Sequence, residues 1–361
     1  MTSSGGAAQL PTPRALDDLT PAWLSDALAA DVRAVTIDEI GAGSGIFGII
    51  ARLTLDHGGD APDTVIAKLP TAAEANLQVG LALRLYEREA RFYADIAADV
   101  PARVPRLHAA SMEPHAGAFC LLLEDLSDLR VGDQLDGLTE HQAELVTDAL
   151  AALHARFWDA PQLRTFHWLP ALSDPMYLAA VPPIYHGGWP IVRERFADLI
   201  EPAASTIGDR VDKQFEEIID RCSRGPLTLI HTDTRLDNLF FDPNGGDATA
   251  IIDWQLALRG RAVSDLAYLL GTSMNVADQD RLYEPLLRRY HDGLIAHGVT
   301  DYSLDQCRRD YAEHALYYLC GAVSISATFD TGNERGARLA RAFVERQFHH
   351  TLVCDAAAAL G

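Results

Sequence analysis

Residues 227–242 read LTLIHTDTRLDNLFFD, and no other stretch limits the possible fold as tightly. Two short apolar runs bracket a polar loop holding His231, Asp233, Arg235, Asp237 and Asn238. A plain turn is ordinarily built with glycine or proline, and neither occurs here. A second apolar run, AII at 250–252, follows the turn DPNGGD at 242–247, in the manner of a hairpin. The pattern is that of a functional loop held by short strands.

Around this hairpin the chain changes character along its length. Residues 1–20 are small, polar and proline-bearing, and read as a flexible leader. Residues 32–56 alternate in the strand manner on either side of a glycine cluster, and TVIAKLP (64–70) and AFCLLLEDL (118–126) are further strands. LALRLYEREARFYADIA (81–97) repeats apolar residues at helical spacing. After Asp125 helical patterns dominate. Thr139 and Gln142 open the first with a capping-box spacing, and others recur near 191–222 and 263–361. The expected fold class is α+β, with a small β-rich lobe over 21–123 and a larger helical lobe over 124–361. ALYYLCGAVSISATF (315–329) is too short and too polar to span a bilayer, which takes roughly 18 or more apolar residues, and reads as a buried helix.

A net charge of −21 excludes a nucleic-acid backbone as partner, since phosphate contacts need basic side chains. The acidity either attracts a cationic substrate or is solvated surface. Five scattered cysteines form no CxxC pair, so neither a disulfide framework nor a zinc site is expected. The N-terminal stretch lacks the basic and apolar regions of a signal peptide. A cytoplasmic protein without membrane contact is expected, and its oligomeric state is not legible.

Individual residues sharpen the reading. Gly43, Ser44 and Gly45 lie in GAGSGIFG between two strand patterns. Either a flap laying backbone N–H groups over nucleotide phosphates or an ordinary glycine-rich turn satisfies that arrangement. Lys68 is one of only two lysines among 30 basic residues. A compact ammonium reaching phosphates explains the choice of Lys over Arg, and so does a charge guarding an edge strand. Glu89 falls inside the apolar stripe of its helix, with Leu85, Phe92, Tyr93 and Ile96 at −4, +3, +4 and +7. A carboxylate there needs a partner, either Lys68 or an arginine of the same helix, Arg84 or Arg91. Within 231–238 the spacing H-x-D-x-x-x-x-N lets Asp233 accept a proton from an attacking hydroxyl while Asn238 holds a divalent ion. Arg235 is placed to offset charge on transferring phosphoryl oxygens. His231 reads as a brace for the loop. Asp253, at the end of an apolar run, is the second candidate Mg²⁺ ligand.

HTDTRLDN, IIDWQ and SDLAYLL, with AALHARFW and EREARFY upstream, resemble the aminoglycoside phosphotransferase, choline kinase and ecdysteroid-kinase-like superfamily over roughly residues 30–345. The resemblance implies a two-lobed protein-kinase-like fold with a nucleotide-binding N-terminal lobe, and ATP and Mg²⁺ as cofactors. It implies Asp233 as catalytic base, Asn238 and Asp253 as Mg²⁺ ligands, and a Lys68–Glu89 pair. LLLEDL becomes the hinge meeting adenine near Glu124 and Leu126, and Asp265 an acid tying the catalytic loop to the helical lobe. One departure stands out. The superfamily usually has glycine after the motif histidine, and here Thr232 stands there, which is expected to alter the loop modestly and to remove no catalytic group.

The style of RLDN and DWQ resembles the branch acting on apolar or acyl-CoA-type alcohols, so a small-molecule alcohol is the expected acceptor, with an aminoglycoside as the alternative. Residues 166–189 are rich in aromatics and prolines. They either cover the substrate, with Trp168, Tyr177, Tyr185 and Trp189 as walls, or pack as a loop-rich insertion. A non-catalytic nucleotide-binding module keeps the same residues without turnover. A metal-dependent hydrolase using His231, Asp233 and Asp253 leaves Lys68, Glu89 and the glycine hairpin without a role.

Overall fold

A computed structural model describes residues 11–40, 47–328 and 334–361. The chain divides into two compact units. The first combines the residues up to Asp99 with Val104–Ser127, and the second combines Val100–Arg103 with Asp128–Gly361. Gly43, Ser44 and Gly45, expected at a phosphate flap, lie outside the described residues.

In the first unit, α1 (Pro21–Leu28) begins at Thr20, whose hydroxyl accepts the Trp23 amide, with Pro21 preset for the first helical position. An antiparallel sheet follows, built from β1 (Asp31–Ile40), β2 (Gly48–Gly58), β3 (Thr64–Pro70), β4 (Leu107–Glu113) and β5 (Ala118–Glu124). Its spatial order is β1-β2-β3-β5-β4. Helices α2 (Glu74–Ala82) and α3 (Leu85–Asp95) come between β3 and β4 in the chain, and α3 packs on β4 and β5. Ala51, Leu53 and Leu55 of β2 and Val65, Ala67 and Leu69 of β3 share a core with Trp23 and Leu24 of α1. Strand alternation then sends Lys68, which falls between Ala67 and Leu69, to the opposite face of the sheet.

Two expectations change here. Lys68 sits opposite both Ile50 of β2 and Leu121 of β5, on an inner strand, so it does not guard a sheet edge. The flexible leader expected over 1–20 does not extend through its second half. Leu19 is buried in the sheet core, and Thr12 bonds Glu113 and Ser111 of β4. Apolar burial and two side-chain bonds outweigh the polar composition that suggested a leader.

The second unit is mostly helical. It contains the short strand β6 (Arg130–Val131), then α4 (Glu140–Arg156), α5 (Pro175–Arg195) and α6 (Pro202–Cys222). The short strands β7 (Thr228–Ile230), β8 (Leu239–Phe241), β9 (Thr249–Ile251) and β10 (Leu258–Gly260) come next. Helices α7 (Val263–Ser273), α8 (Val276–Ala296), α9 (Leu304–Thr328) and α10 (Glu334–Val353) complete it. The capping box of α4 forms as its spacing predicts: Thr139 Oγ1 accepts the Gln142 amide at 3.2 Å, and Gln142 Oε1 accepts the Thr139 amide at 3.1 Å. β8 and β9 form the expected hairpin, joined by the DPNGGD turn, with Leu239 opposite Ile251. The run 315–328 lies in α9, which packs against α5, α6, α7 and α10. Among the described residues no helix is long and apolar enough to cross a membrane.

Of the four aromatics singled out in 166–189, Trp168, Tyr185 and Trp189 are buried in packing and Tyr177 is half-buried. Much of the stretch enters α5, which continues through Pro182, Pro183 and Pro190. Tyr185 stacks on Phe215 of α6 with ring centroids 4.8 Å apart, and Trp189 on Phe348 of α10 at 5.2 Å. Both rings are buried, as is Trp168. Burying such large rings offsets the helix hydrogen bonds that the prolines cannot donate.

A Cβ at Gly208 of α6 would lie 2.5 Å from the Trp189 indole. Gly208→Ala is therefore expected to lower stability by about 1–3 kcal/mol, read as a lower urea midpoint at unchanged slope.

Candidate active site

The functional side chains fall into one group in each unit. In the first unit, the Lys68 ammonium lies 2.8 Å from Glu89 Oε1 and 2.7 Å from Oε2. Glu89 is 1% exposed and Lys68 8%. Charges this far from water are tolerated when paired at such distances. The partner of Glu89 is thus the strand lysine, whereas Arg84 turns to Glu87. Of the hinge candidates, Glu124 donates its own N–H to Arg106 O at 2.9 Å, and its carboxylate accepts the Arg106 amide at 3.0 Å. Leu126 is buried.

The second unit holds the polar loop. β7 pairs with β10, and β8 with β9, so residues 231–238 are suspended between two small antiparallel pairs. The buried Asp265, in the first turn of α7, organises this loop. Its Oδ2 accepts the His231 amide and its Oδ1 the Thr232 amide, both at 2.7 Å. Thr234 Oγ1 donates to the Asp265 carbonyl at 2.8 Å. His154 of α4 adds a bond from Nε2 to Oδ2 at 3.1 Å, with Tyr290 OH 2.7 Å from its Nδ1. Burial by itself would raise the Asp265 carboxyl, but His154, followed by His231 and its amide, brings it below the ordinary carboxylate value.

His231 braces the loop, as its sequence context indicated. Its Nε2 is 2.8 Å from Ile252 O, a carbonyl that accepts only a donor, so Nε2 carries the proton. Its Nδ1 accepts the Asp233 amide at 3.2 Å. Thr232 has φ +69°, a left-handed conformation that costs an L-residue about 1–2 kcal/mol and is unusual for a β-branched side chain.

Asp233 is held at both oxygens. Asn238 Nδ2 donates to Oδ2 at 2.9 Å and to the Asp233 carbonyl at 2.9 Å. Tyr268, one helical turn beyond Asp265, donates its hydroxyl to Oδ1 at 3.0 Å. Burial and the Asp233 charge push the Tyr268 hydroxyl far above its ordinary pKa, so it stays a donor. Arg235 Nε lies 3.5 Å from Asp233 Oδ2, and an η nitrogen 3.7 Å from Asp237 Oδ2. The Asp233 charge, the largest influence, raises the guanidinium further and keeps it protonated. Its charge is directed first at these two carboxylates.

The β8–β9 register fixes the metal candidates. Leu239 opposes Ile251, and the Ile252 amide donates to Asn238 O at 3.0 Å, so Asp253 follows directly beside Asn238. Asp253 has φ +65°, and its Oδ2 accepts Gln255 Nε2 at 3.2 Å. Asn238 Nδ2 bonds Asp233 twice, which leaves its carboxamide oxygen as an acceptor. Among the described residues no group of three His, Cys, Asp or Glu side chains could hold a metal. An oxygen pair of this kind suits Mg²⁺, which ordinarily takes one or two protein oxygens and completes its shell with phosphates and water.

The sequence profile of the phosphotransferase enzyme family matches residues 56–302, more than half of the chain. The chain belongs to that family. Of the solved structures similar to this phosphotransferase, one is described as a putative aminoglycoside phosphotransferase from Ralstonia eutropha. It is 15% identical with a TM-score of 0.54, and the match covers 92% of this chain and 97% of that one. A GDP complex of a wild-type aminoglycoside 2'-phosphotransferase matches equally at 0.54, with 15% identity over 88% and 93% of the two chains. These likenesses show the fold, which is protein-kinase-like as expected. A curated relative, acyl-CoA dehydrogenase family member 11 of Gallus gallus, is 38% identical over 60 residues, spanning 15% of this chain and only 8% of that one.

The structure thus gathers Asp233, Arg235, Asn238 and Asp253 in one unit and pairs Lys68 with Glu89 in the other. Sequence reasoning missed two supports. Tyr268 lay in the quoted SDLAYLL, and its spacing of three from Asp265 was the available sign. Gln134 left none: buried, it accepts the Leu236 amide at 2.9 Å and donates to Thr272 O at 2.7 Å, while Arg346 of α10 holds its carbonyl at 2.6 Å.

Asp265→Asn places an amide where two backbone N–H groups need acceptors, and is expected to destabilise by about 3–5 kcal/mol, as when a buried pair is broken. Because the native carboxyl titrates below its unfolded value, its stabilisation is complete above that value and is lost as pH falls through the depressed native one. Thermal midpoints of wild type and variant should therefore differ most above the ordinary carboxylate value, about pH 4, and converge only as pH falls below it through the depressed native value.

Proposed function

We propose that this phosphotransferase moves the γ-phosphate of ATP, with Mg²⁺, to the hydroxyl of a small-molecule alcohol. The observation that carries the reading is Asp233, a carboxylate gripped at both oxygens beside an Asn–Asp pair presenting oxygen ligands. The GDP complex of the structurally similar aminoglycoside 2'-phosphotransferase supports nucleotide use.

In this mechanism the acceptor hydroxyl gives its proton to Asp233 as its oxygen bonds to the γ-phosphorus. The bond from that phosphorus to the bridging oxygen breaks, and ADP leaves. Tyr268 and Asn238 keep the Asp233 carboxylate aimed, which supplies orientation rather than new bonding. Mg²⁺ held by Asn238 and Asp253 would supply positive charge to the transferring phosphoryl group. Lys68, aligned by Glu89, holds nucleotide phosphates, and Arg235 offsets the negative charge assembled by Asp233 and Asp237. Hinge contacts to adenine come from backbone groups near Glu124 and Leu126.

We place the acceptor among apolar or acyl-CoA-type alcohols, a hydroxyacyl-CoA being the leading example. The segment shared with acyl-CoA dehydrogenase family member 11 supports this, and the aminoglycoside alternative draws on neighbours at 15% identity or less.

A library of alcohols and hydroxyacyl thioesters, screened by ADP release, tests both steps. Asp233→Ala is expected to lower turnover about 10²–10⁴-fold while calorimetry shows ATP binding intact. Wild-type turnover in that variant would remove Asp233 as base. Nucleotide binding without turnover on any acceptor would favour a non-catalytic module.

A further inference from the structure

We infer that Thr232 is a positioning residue whose hydroxyl fixes the turn carrying Asp253, and thereby sets how strongly Mg²⁺ tightens nucleotide binding. The inference rests on the functional reading above and adds a residue to it.

Asp253 begins a tight turn. It is left-handed itself, Trp254 behind it is fully buried, and the Ala257 amide closes on Trp254 O at 3.1 Å. Two adjacent side chains of the catalytic loop anchor the two flanks of this turn. His231 Nε2 donates to Ile252 O, immediately before Asp253, at 2.8 Å. Thr232 Oγ1 donates to Leu256 O, three residues after it, at 2.9 Å. The His231 ring also meets the Trp254 indole edge to face, with centroids 4.7 Å apart. The histidine therefore holds the near side of the turn and the threonine the far side.

The threonine is a costly residue for that place. At φ +69° glycine fits without strain, yet glycine has no side chain to reach Leu256. Such strain persists only where neighbouring bonds over-determine it. Here the Thr232 amide is fixed by Asp265 Oδ1 at 2.7 Å and its hydroxyl by Leu256 O. The hydroxyl makes the catalytic loop and the Asp253 turn one body. Without it, the far side of the turn loses its bond at Leu256 while the Ile252 and Gln255 bonds remain, and Asp253 samples more orientations. An oxygen ligand for Mg²⁺, which demands near-octahedral geometry, loses most from such freedom.

The test measures ADP affinity by calorimetry on the full chain, with and without MgCl₂, and melting temperature alongside. It needs no acceptor. Wild type and Thr232→Ser should show the same Mg²⁺-dependent gain in ADP affinity. Thr232→Ala and Thr232→Gly should lose about five-fold of that gain, the scale of one hydrogen bond, with metal-free ADP affinity unchanged. Thr232→Gly relieves the backbone strain and should melt no lower than Thr232→Ala. A purely structural threonine would move melting temperature and leave the Mg²⁺ gain intact, and that result in Thr232→Gly overturns the inference while the functional reading stands. A wild type with no Mg²⁺ gain at all removes both.

Discussion

The second unit depends on one buried carboxylate. Asp265 has no access to water, and it keeps its charge because protein N–H groups replace the lost hydration: two consecutive backbone amides and His154. The dependence runs both ways. The amides of His231 and Thr232 would otherwise be unmatched donors at a loop buried between short strands, and such donors are rarely left unpaired. Once the carboxylate fixes them, the side chains that follow have set directions. His231 turns to Ile252, Thr232 to Leu256 and Asp233 to Tyr268 and Asn238. A single acid at the start of α7 thus determines where the side chains of Asp233, Asn238 and Asp253 can stand.

The first unit solves a similar problem with an ion pair. Strand alternation devotes one face of the sheet to the apolar core under α1 and sends Lys68 to the other. There it meets the one carboxylate that α3 buries. Removing two charges from water is costly, and their attraction compensates only at close, well-shared distances. The ammonium lies within 2.8 Å of both Glu89 oxygens. A pair of this kind locks α3 to the central strand.

Much of this arrangement was legible beforehand, for local reasons. The alternation in TVIAKLP, the stripe around Glu89, the Thr139 capping box and the DPNGGD hairpin are encoded within a few residues each, and each formed as read. Where reading failed, the deciding contact was distant in sequence. The segment before α1 looked like a leader until Leu19 and Thr12 were seen against the sheet. Whether Tyr185 and Trp189 line a pocket or pack was open in the sequence, and stacking on Phe215 and Phe348 decides for packing. Gln134 and Arg346, separated from the 231–238 loop by about a hundred residues on either side, support it without any pattern of their own.

The sequence by itself therefore determined which chemical groups are present, their order and the secondary structure that carries them, because hydrophobic period and capping act over one or two turns. Only the tertiary structure decided which donor meets which acceptor. Glu89 had a lysine and two arginines to choose from, and strand order, which placed Lys68 on an inner strand facing α3, selected the lysine. Thr232 read as a mild exception to a glycine, and the packing of the Asp253 turn beside it gave its hydroxyl a partner at Leu256. Partner choice depends on distance in space, and a chain's local pattern carries no record of that distance until the core has closed.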